Sequence, residues 1–292
     1  MQQRTVEANG LEFGILEAGE GPLALCIHGF PDTAHSWRHL LPSLADAGFH
    51  AVAPFTRGYA PTDVPEDGAY SIGALIADAT ALHEALGGDE KAVLIGHDWG
   101  AANSYGAAAF APERWRRVVG MSAPPFSLNQ RMFGDYDQLR RFFYFFFFGT
   151  GLAEPVIAAD DMAFVERLWR DWSPGYDPSE DVALVKAAIG APENLSAAVA
   201  YYRTVLTGLL GAPGGGPDPY EAESAAMAAI CKQPTLYVHG DGDGCIALEL
   251  VADAEEHLPD GSKMEVIAGT GHFCHLEKPD QVAKLVLDWI AD

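Results

Sequence analysis

Gly96-His-Asp-Trp-Gly100 lies between an apolar run at residues 92–95 and a small-residue stretch of helical spacing at residues 100–110. An apolar run of that length is typical of a buried strand. A residue flanked by glycines at a strand-to-helix junction sits on a sharp, exposed turn, because larger neighbours would collide there. The segment therefore predicts a nucleophile elbow with Asp98 at its tip.

Strand and helix patterns alternate on both sides of this elbow. Strand patterns lie at residues 5–8, 11–17, 23–27, 51–54, 118–121, 235–238 and 264–267, and helical patterns at 37–44, 72–86, 248–257 and 279–290. Fully apolar runs such as residues 23–27 are typical of central strands. The alternation predicts an α/β fold with a doubly wound, mostly parallel sheet.

The sequence between the strand patterns at 118–121 and 235–238 is helical and rich in aromatic residues. A glycine- and proline-rich loop, Gly211-Ala-Pro-Gly-Gly-Gly-Pro217, interrupts it. We expect residues 125–228 to form a helical cap inserted into a core domain of residues 1–124 and 229–292. Because the insertion begins and ends beside strands, we expect a ligand pocket between cap and sheet.

Composition excludes several partners. The 41 acidic residues outnumber the 18 Lys and Arg, and the net charge of -23 repels nucleic acids and anionic membranes. The N-terminus lacks a signal-peptide pattern, and no run reaches the ~20 apolar residues of a membrane span, so we expect a cytoplasmic protein. The four cysteines lack CxxC spacing, which predicts neither a disulfide framework nor a metal site.

Aspartate at the tip of the elbow determines the reaction class. Serine is usual at this position, but the carboxylate of Asp98 is ionised at neutral pH and can attack a saturated carbon without a base. The alternative is that Asp98 only caps the following helix, a common role for aspartate. That role does not account for the two glycines.

Two further residues complete a catalytic set. His272 follows Gly271 shortly after the last predicted strand, and His275 is its competitor. The acid should lie after the strand at 235–238, where Asp241 and Asp243 are both available. Asp-Gly is a strong turn signal, so one of them is a turn residue, and we favour Asp243. The chain order nucleophile, acid, histidine is the one expected of such a fold.

These segments, with His28-Gly-Phe-Pro31 and Arg57-Gly-Tyr59, make the sequence resemble the epoxide hydrolase branch of the α/β-hydrolases nearly end to end. The resemblance implies that the backbone N–H groups of Phe30 and Trp99 form an oxyanion hole. His-Gly-Phe-Pro could otherwise be only a turn that ends a strand. Phe55 is a departure, because relatives often carry an aspartate there.

The resemblance also implies two cap tyrosines that hold the epoxide oxygen. Tyr144 begins Tyr-Phe-Phe-Phe-Phe148, and Tyr202 directly precedes Arg203. Phenols can donate a hydrogen bond or a proton to the developing alkoxide. Aromatic residues at this density are also common packing residues, and a neighbour in the 142–148 run could replace Tyr144.

The implied function is hydrolysis of an apolar or aromatic epoxide to a vicinal diol. Asp98 would form an ester that water, activated by His272 and Asp243, then hydrolyses. The implied partners are a small-molecule epoxide and water, with no metal or organic cofactor, and the protein would be a monomer or homodimer. Phe30, Trp99 and the two tyrosines would also bind substrate.

Three alternatives remain open. A haloalkane dehalogenase shares the aspartate nucleophile, the histidine and the Asp-Trp pair. Its halide requires N–H donors, of which Trp99 could supply one, but Phe30 stands where such enzymes often place a polar donor. A fluoroacetate-type dehalogenase is disfavoured because Trp99 replaces the expected arginine. A non-catalytic small-molecule-binding protein of this fold would be expected to lack a catalytic residue, and none is missing here.

Overall fold

The computed structural model describes residues 1–210 and 218–291, so the predicted loop at 211–217 lies outside the described residues. Within that part of the chain, eight strands form one sheet in the order β1-β2-β4-β3-β5-β6-β7-β8. They are β1 (Gln2–Ala8), β2 (Leu11–Ala18), β3 (Leu23–Ile27), β4 (His50–Pro54), β5 (Val93–His97), β6 (Arg117–Met121), β7 (Thr235–Gly240) and β8 (Lys263–Ile267).

The direction of the strands confirms the predicted sheet. Strand β2 pairs antiparallel with both β1 and β4, and every other neighbouring pair is parallel. All residues of the central strands β3 and β5 are buried, which explains their continuous apolar sequence. The fold is therefore the predicted α/β class with a mostly parallel sheet.

Helices connect the strands and fill one long interval between β6 and β7. They are α1 (Leu40–Asp46), α2 (Ile72–Ala85), α3 (Trp99–Phe110), α4 (Asn129–Gly134), α5 (Tyr136–Arg141), α6 (Phe143–Phe148), α7 (Ala153–Trp172), α8 (Ser179–Ile189), α9 (Pro192–Leu210), α10 (Glu221–Ala226), α11 (Cys274–Glu277) and α12 (Pro279–Ala291). Helices α4 to α10 lie within the expected cap at 125–228; the division of the chain into two domains stays a prediction.

The prediction of one helix over residues 248–257 is wrong. The structure has two short 3₁₀ helices there, Leu248–Leu250 and Ala254–His257. Val251 and Ala254 are the buried residues of this segment, and they are three positions apart. That spacing suits a 3₁₀ turn as well as an α-helix, so the apolar pattern did not distinguish them.

Successive residues of the strands pack into different cores, as the alternation of side chains in a strand requires. Leu94 of β5 belongs to a cluster with Ile76 of α2. Its neighbour Ile95 belongs to a second cluster with Trp37 and with Val286 of α12. This second cluster continues into helices α6 to α9, so the inserted helices pack against the sheet domain through one apolar core.

In the described ranges no single helix is long and apolar enough to cross a membrane. Helix α8 and the Pro192–Gly208 part of α9 are together long and apolar enough to span a membrane by length and composition alone. The two are bent by 102° relative to each other.

Candidate active site

Asp98 stands at the junction between β5 and α3 with φ 55° and ψ -119°, a conformation that is costly for a residue with a side chain. The two flanking glycines make this turn possible. A Cβ on Gly96 would overlap the carbonyl oxygen of Gly100, and one on Gly100 would overlap the carbonyl oxygen of Ile27. The predicted elbow is therefore present at residues 96–100.

The two carboxylate oxygens of Asp98 have different surroundings. Oδ1 accepts a hydrogen bond of 2.8 Å from the backbone N–H of Phe30. Oδ2 lies 3.7 Å from Nε2 of His272. The side chain makes no capping hydrogen bond to α3, so the alternative helix-capping role is absent. One oxygen is thus held in place while the other faces the histidine.

His272 is fully buried and is oriented by Asp243. Its Nδ1 lies 3.0 Å from Oδ2 of Asp243, and because an ionised carboxylate can only accept, Nδ1 carries a proton. The other carboxylate oxygen, Oδ1, accepts hydrogen bonds from the N–H groups of Cys245 at 2.7 Å and Ile246 at 2.9 Å. These bonds leave Nε2 of His272 directed at Asp98.

The carboxylates determine the charge of this histidine. Burial lowers the pKa of His272, but the negative charge of Asp243, helped by that of Asp98, outweighs it and raises the pKa to about 10. Burial would raise the pKa of Asp243, but His272 outweighs it, and the pKa lies below its usual value. In the free protein at neutral pH, His272 is therefore a cation between two carboxylates.

The competing acid and histidine lie elsewhere. Asp241 is exposed, and its Oδ1 accepts a hydrogen bond of 2.6 Å from the N–H of Gly269. The ring of His275 packs against Trp37, with centroids 4.9 Å apart. The structure thus brings together Asp98, His272 and Asp243, and it leaves Asp241 and His275 outside that group.

The two tyrosines predicted to hold the epoxide oxygen pack against each other. The rings of Tyr144 in α6 and Tyr202 in α9 have centroids 5.4 Å apart, and each side chain is 1% exposed. Burial raises the pKa of both phenols well above the usual value, so both are protonated. The adjacent Tyr201 differs, because its hydroxyl donates to the backbone oxygen of Arg57 at 2.8 Å.

The hydroxyl groups of the two tyrosines are not equivalent. The hydroxyl of Tyr202 makes no hydrogen bond of normal geometry among residues 1–210 and 218–291, although the side chain of Trp99 lies within reach of it. The hydroxyl of Tyr144 lies 3.4 Å from the thiol of Cys245. Sequence reasoning missed Cys245, although it follows Asp243 by two residues; only the folded contact between its loop and α6 identifies it.

A cavity of about 180 Å³ joins the nucleophile to the inserted helices. Its lining includes Asp98, Trp99, Tyr144 and Cys245, with apolar walls that include Phe133 and Phe142. Phe30 lies just beyond and packs edge-on against Tyr202, with ring centroids 5.2 Å apart. The cavity suits a small apolar molecule with one polar atom near the tyrosines.

The segment after β4 supports the fold near the site. Phe55, the departure noted in the sequence, is buried and packs edge-on against His35, with centroids 5.4 Å apart. The buried guanidinium of Arg57 donates to Asp78 through Nε at 2.6 Å. Phe55 therefore packs in the core and lies outside the group formed by Asp98, His272 and Asp243.

Comparisons with known proteins agree with this geometry. The alpha/beta hydrolase fold family matches residues 22–279. Epoxide hydrolase A of Mycobacterium tuberculosis is 29% identical, over 99% of this chain and 97% of its own length. Epoxide hydrolase 3 of Siraitia grosvenorii is 30% identical, over 98% of this chain and 97% of its own length.

A solved epoxide hydrolase from Vigna radiata superposes with a TM-score of 0.79 at 27% identity, covering 99% of this chain and 97% of that structure. The chain therefore belongs to the α/β-hydrolase fold family and, within it, to the epoxide hydrolases. This confirms the resemblance deduced from the sequence.

Proposed function

We propose that this protein is an epoxide hydrolase that converts an apolar or aromatic epoxide into a vicinal diol through an ester on Asp98. One observation carries the proposal: a carboxylate on a nucleophile elbow and the phenol of Tyr144 line the same apolar cavity. Several relatives that match nearly the whole length of the chain are named epoxide hydrolases, which supports the same activity.

In the first step Asp98 attacks a ring carbon of the epoxide. Because Phe30 holds Oδ1 by a hydrogen bond, Oδ2 is the oxygen that forms the new bond. The carbon–oxygen bond of the strained ring breaks, and the phenols of Tyr202 and Tyr144 donate to the departing oxygen. A positioned acid of this kind contributes about 10²-fold or more to the rate.

The first step also prepares the second. Formation of the ester removes the negative charge of Asp98, which is one of the two charges that raise the pKa of His272. The pKa of His272 must then fall, and the histidine becomes a base. The proton that it loses balances the proton gained by the epoxide oxygen.

In the second step His272, oriented by Asp243, takes a proton from water, and the water attacks the ester carbonyl carbon of Asp98. The carbonyl oxygen is Oδ1, which already accepts from the N–H of Phe30. The N–H groups of Phe30 and Trp99 stabilise the oxyanion, and each such donor contributes about 3 kcal/mol. Collapse releases the diol and restores the Asp98 carboxylate.

A haloalkane dehalogenase remains the alternative reaction, since it would use the same nucleophile and histidine. Its leaving halide carries a negative charge and needs N–H donors, of which Trp99 is one in the lining of this cavity, whereas Tyr144 offers a phenol to the same cavity. The phenol favours the epoxide. A cytoplasmic location and a monomeric or homodimeric state remain proposals that accompany the function.

A substrate panel tests the proposed function. The purified full-length chain is incubated with styrene-type epoxides and, separately, with haloalkanes of similar size. We expect diol from the epoxides without halide release from the haloalkanes, and no diol from Asp98→Asn. Halide release without diol formation would replace the proposal with the dehalogenase, and binding without either product would indicate a non-catalytic protein.

A further inference from the structure

A second group of buried ionisable side chains lies behind the catalytic histidine. Asp32, His97 and His275 are 2%, 0% and 4% exposed, and one potential ligand atom from each lies within 4.8 Å of the others. None of the three lines the cavity that contains Asp98. The proposed reaction therefore does not account for this group.

Several polar atoms in this group have no partner in the described part of the chain. They are Oδ2 of Asp32, Nδ1 of His97 and both ring nitrogens of His275. Buried polar atoms are nearly always hydrogen-bonded or bound to an ion, because an unpaired one costs about 1–3 kcal/mol. A concentration of four such atoms indicates a place where water or an ion can bind.

The tautomer of His97 restricts what that ligand can be. Its Nε2 lies 3.0 Å from the backbone oxygen of His272, and since a carbonyl oxygen only accepts, Nε2 carries the proton. Nδ1, on the other side of the ring, lies 3.6 Å from Oδ2 of Asp32, which is too far for a direct hydrogen bond. A metal cation bound between the two atoms would satisfy both.

The distance of 3.6 Å selects among the possible ligands. A direct hydrogen bond would bring the atoms to about 2.7–3.0 Å. A tetrahedral water that bonds to both at ~2.8 Å would separate them by about 4.6 Å. A tetrahedral metal ion with bonds of ~2.1 Å places neighbouring ligands about 3.4 Å apart, which is close to the distance between Asp32 and His97. The three ligand atoms lie within 4.8 Å of one another, so His275 would move towards the other two when an ion binds.

The outer contacts of the group also match those of metal ligands. A ligating histidine usually donates its other N–H to a carbonyl or carboxylate, as His97 does to His272. A ligating carboxylate is usually held by a further hydrogen bond, and Oδ1 of Asp32 accepts one of 2.7 Å from the N–H of Thr33. These contacts aim Nδ1 of His97 and Oδ2 of Asp32 at one point.

We propose that Asp32, His97 and His275 form a buried binding site for a divalent transition-metal ion of the zinc class. Two imidazoles and one carboxylate are ligands that such ions prefer, and three protein ligands leave a fourth position for water. The absence of CxxC spacing, which predicted no metal site, bears only on cysteine ligands. This site is separate from the proposed chemistry.

The bound ion would stabilise the catalytic loop. His275 follows His272 by three residues, while His97 is the last residue of β5, so one ion would join this loop to the centre of the sheet. Binding to the native state alone raises the melting temperature. With zinc at a hundredfold excess over Kd, we expect an increase of about 5 °C.

Metal analysis of the full-length chain, purified without a histidine tag, tests the proposal. The protein is stripped with a chelator, supplied with Zn²⁺, desalted and assayed for zinc. We expect about one ion per chain, and X-ray absorption should show imidazole scattering with nitrogen and oxygen at ~2.0–2.1 Å. Asp32→Asn and His275→Gln should each weaken zinc binding by more than about tenfold.

His83→Gln is the matched control, because His83 is equally buried but lies beside Trp115 and Asp89, away from the site. It should bind zinc like the parent chain. A parent chain without zinc after desalting would overturn the proposal, and so would unchanged binding in both site variants. If the site variants fail to fold, parent protein whose zinc shows no imidazole scattering would overturn it equally.

Discussion

The strand end that carries Asp98 and the helices that carry Tyr144 and Tyr202 hold these side chains in position by different means. Asp98 is held by the backbone turn. Only glycine fits at positions 96 and 100, because a Cβ at either one would overlap neighbouring backbone atoms. Tyr144 and Tyr202 are fixed by packing among aromatic rings that surround them on several sides. The backbone turn requires glycine at both positions, whereas the aromatic packing would also accept phenylalanine, so only the chemistry requires the two hydroxyl groups.

The largest expected effect lies at the strand ends. Asp98→Asn replaces the carboxylate with a neutral amide, which is a poor nucleophile, so steady-state diol formation should fall by roughly 10⁴-fold or more. The assay uses freshly purified protein whose mass excludes deamidation back to aspartate. Full activity in such protein would show that Asp98 is not the nucleophile.

His272→Gln should also stop turnover, but at a later point. Because the histidine serves the second step, alkylation should still occur, and intact-protein mass spectrometry should find a species heavier by the mass of the epoxide. The matched control is the buried His83→Gln, which should turn over without a trapped adduct. If instead His272→Gln turned over normally and His275→Gln accumulated the adduct, His275 would be the histidine that activates water.

The inserted helices should respond more gradually. Tyr202→Phe removes an unpartnered hydroxyl and should slow alkylation by about 10²-fold, and Tyr144→Phe should slow it less because Cys245 also contacts that hydroxyl. The double variant should nearly stop alkylation, with non-additive effects. Rapid-mixing measurements of alkylation would separate these rates.

Tyr201→Phe is the matched control for the two tyrosines, since its hydroxyl donates to Arg57 and not into the cavity. Tyr201→Phe should lower the free energy of unfolding but leave the rate of alkylation nearly unchanged. If Tyr144→Phe has no effect while Tyr202→Phe does, a different group provides the second donor. That group would lie outside residues 142–148, because Tyr144 is the one residue of this run that carries a hydroxyl.

The smallest expected effect lies where the two regions touch. Cys245→Ala removes the sulfur beside the Tyr144 hydroxyl but keeps the backbone N–H that donates to Asp243. The alkylation rate should change by less than about tenfold, since a hydrogen bond to sulfur is weak. Cys231→Ala, a buried cysteine outside the cavity, should leave the rate unchanged; a loss as large as that of Tyr144→Phe would make the thiol essential.

The same contrast explains how much could be predicted from sequence. The strands and the elbow were predictable because apolar runs and paired glycines have few structural solutions. Spacing could not distinguish the 3₁₀ turns at residues 248–257 from an α-helix. The contact of Cys245 with Tyr144 joins residues 101 positions apart, and only tertiary packing creates it.

The choice between Asp241 and Asp243 marks the boundary of sequence reasoning within the site. Both follow β7 and both precede a glycine, so turn chemistry favours each of them equally. Their difference arises from the position of the loop that carries His272, which lies 3.0 Å from Asp243, while Asp241 bonds to Gly269. No local pattern contains that information.

Isotope transfer in a single turnover tests the central claim, which is that Asp98 forms an ester that water hydrolyses at the carbonyl carbon. The enzyme is placed in H₂¹⁸O in excess over the epoxide, and the diol and the peptide that contains Asp98 are analysed by mass spectrometry. The account predicts a largely unlabelled first diol and heavy oxygen in Asp98, with label reaching the diol in later turnovers. A fully labelled first diol and an unlabelled Asp98 peptide would contradict it, because water would then attack the ring directly.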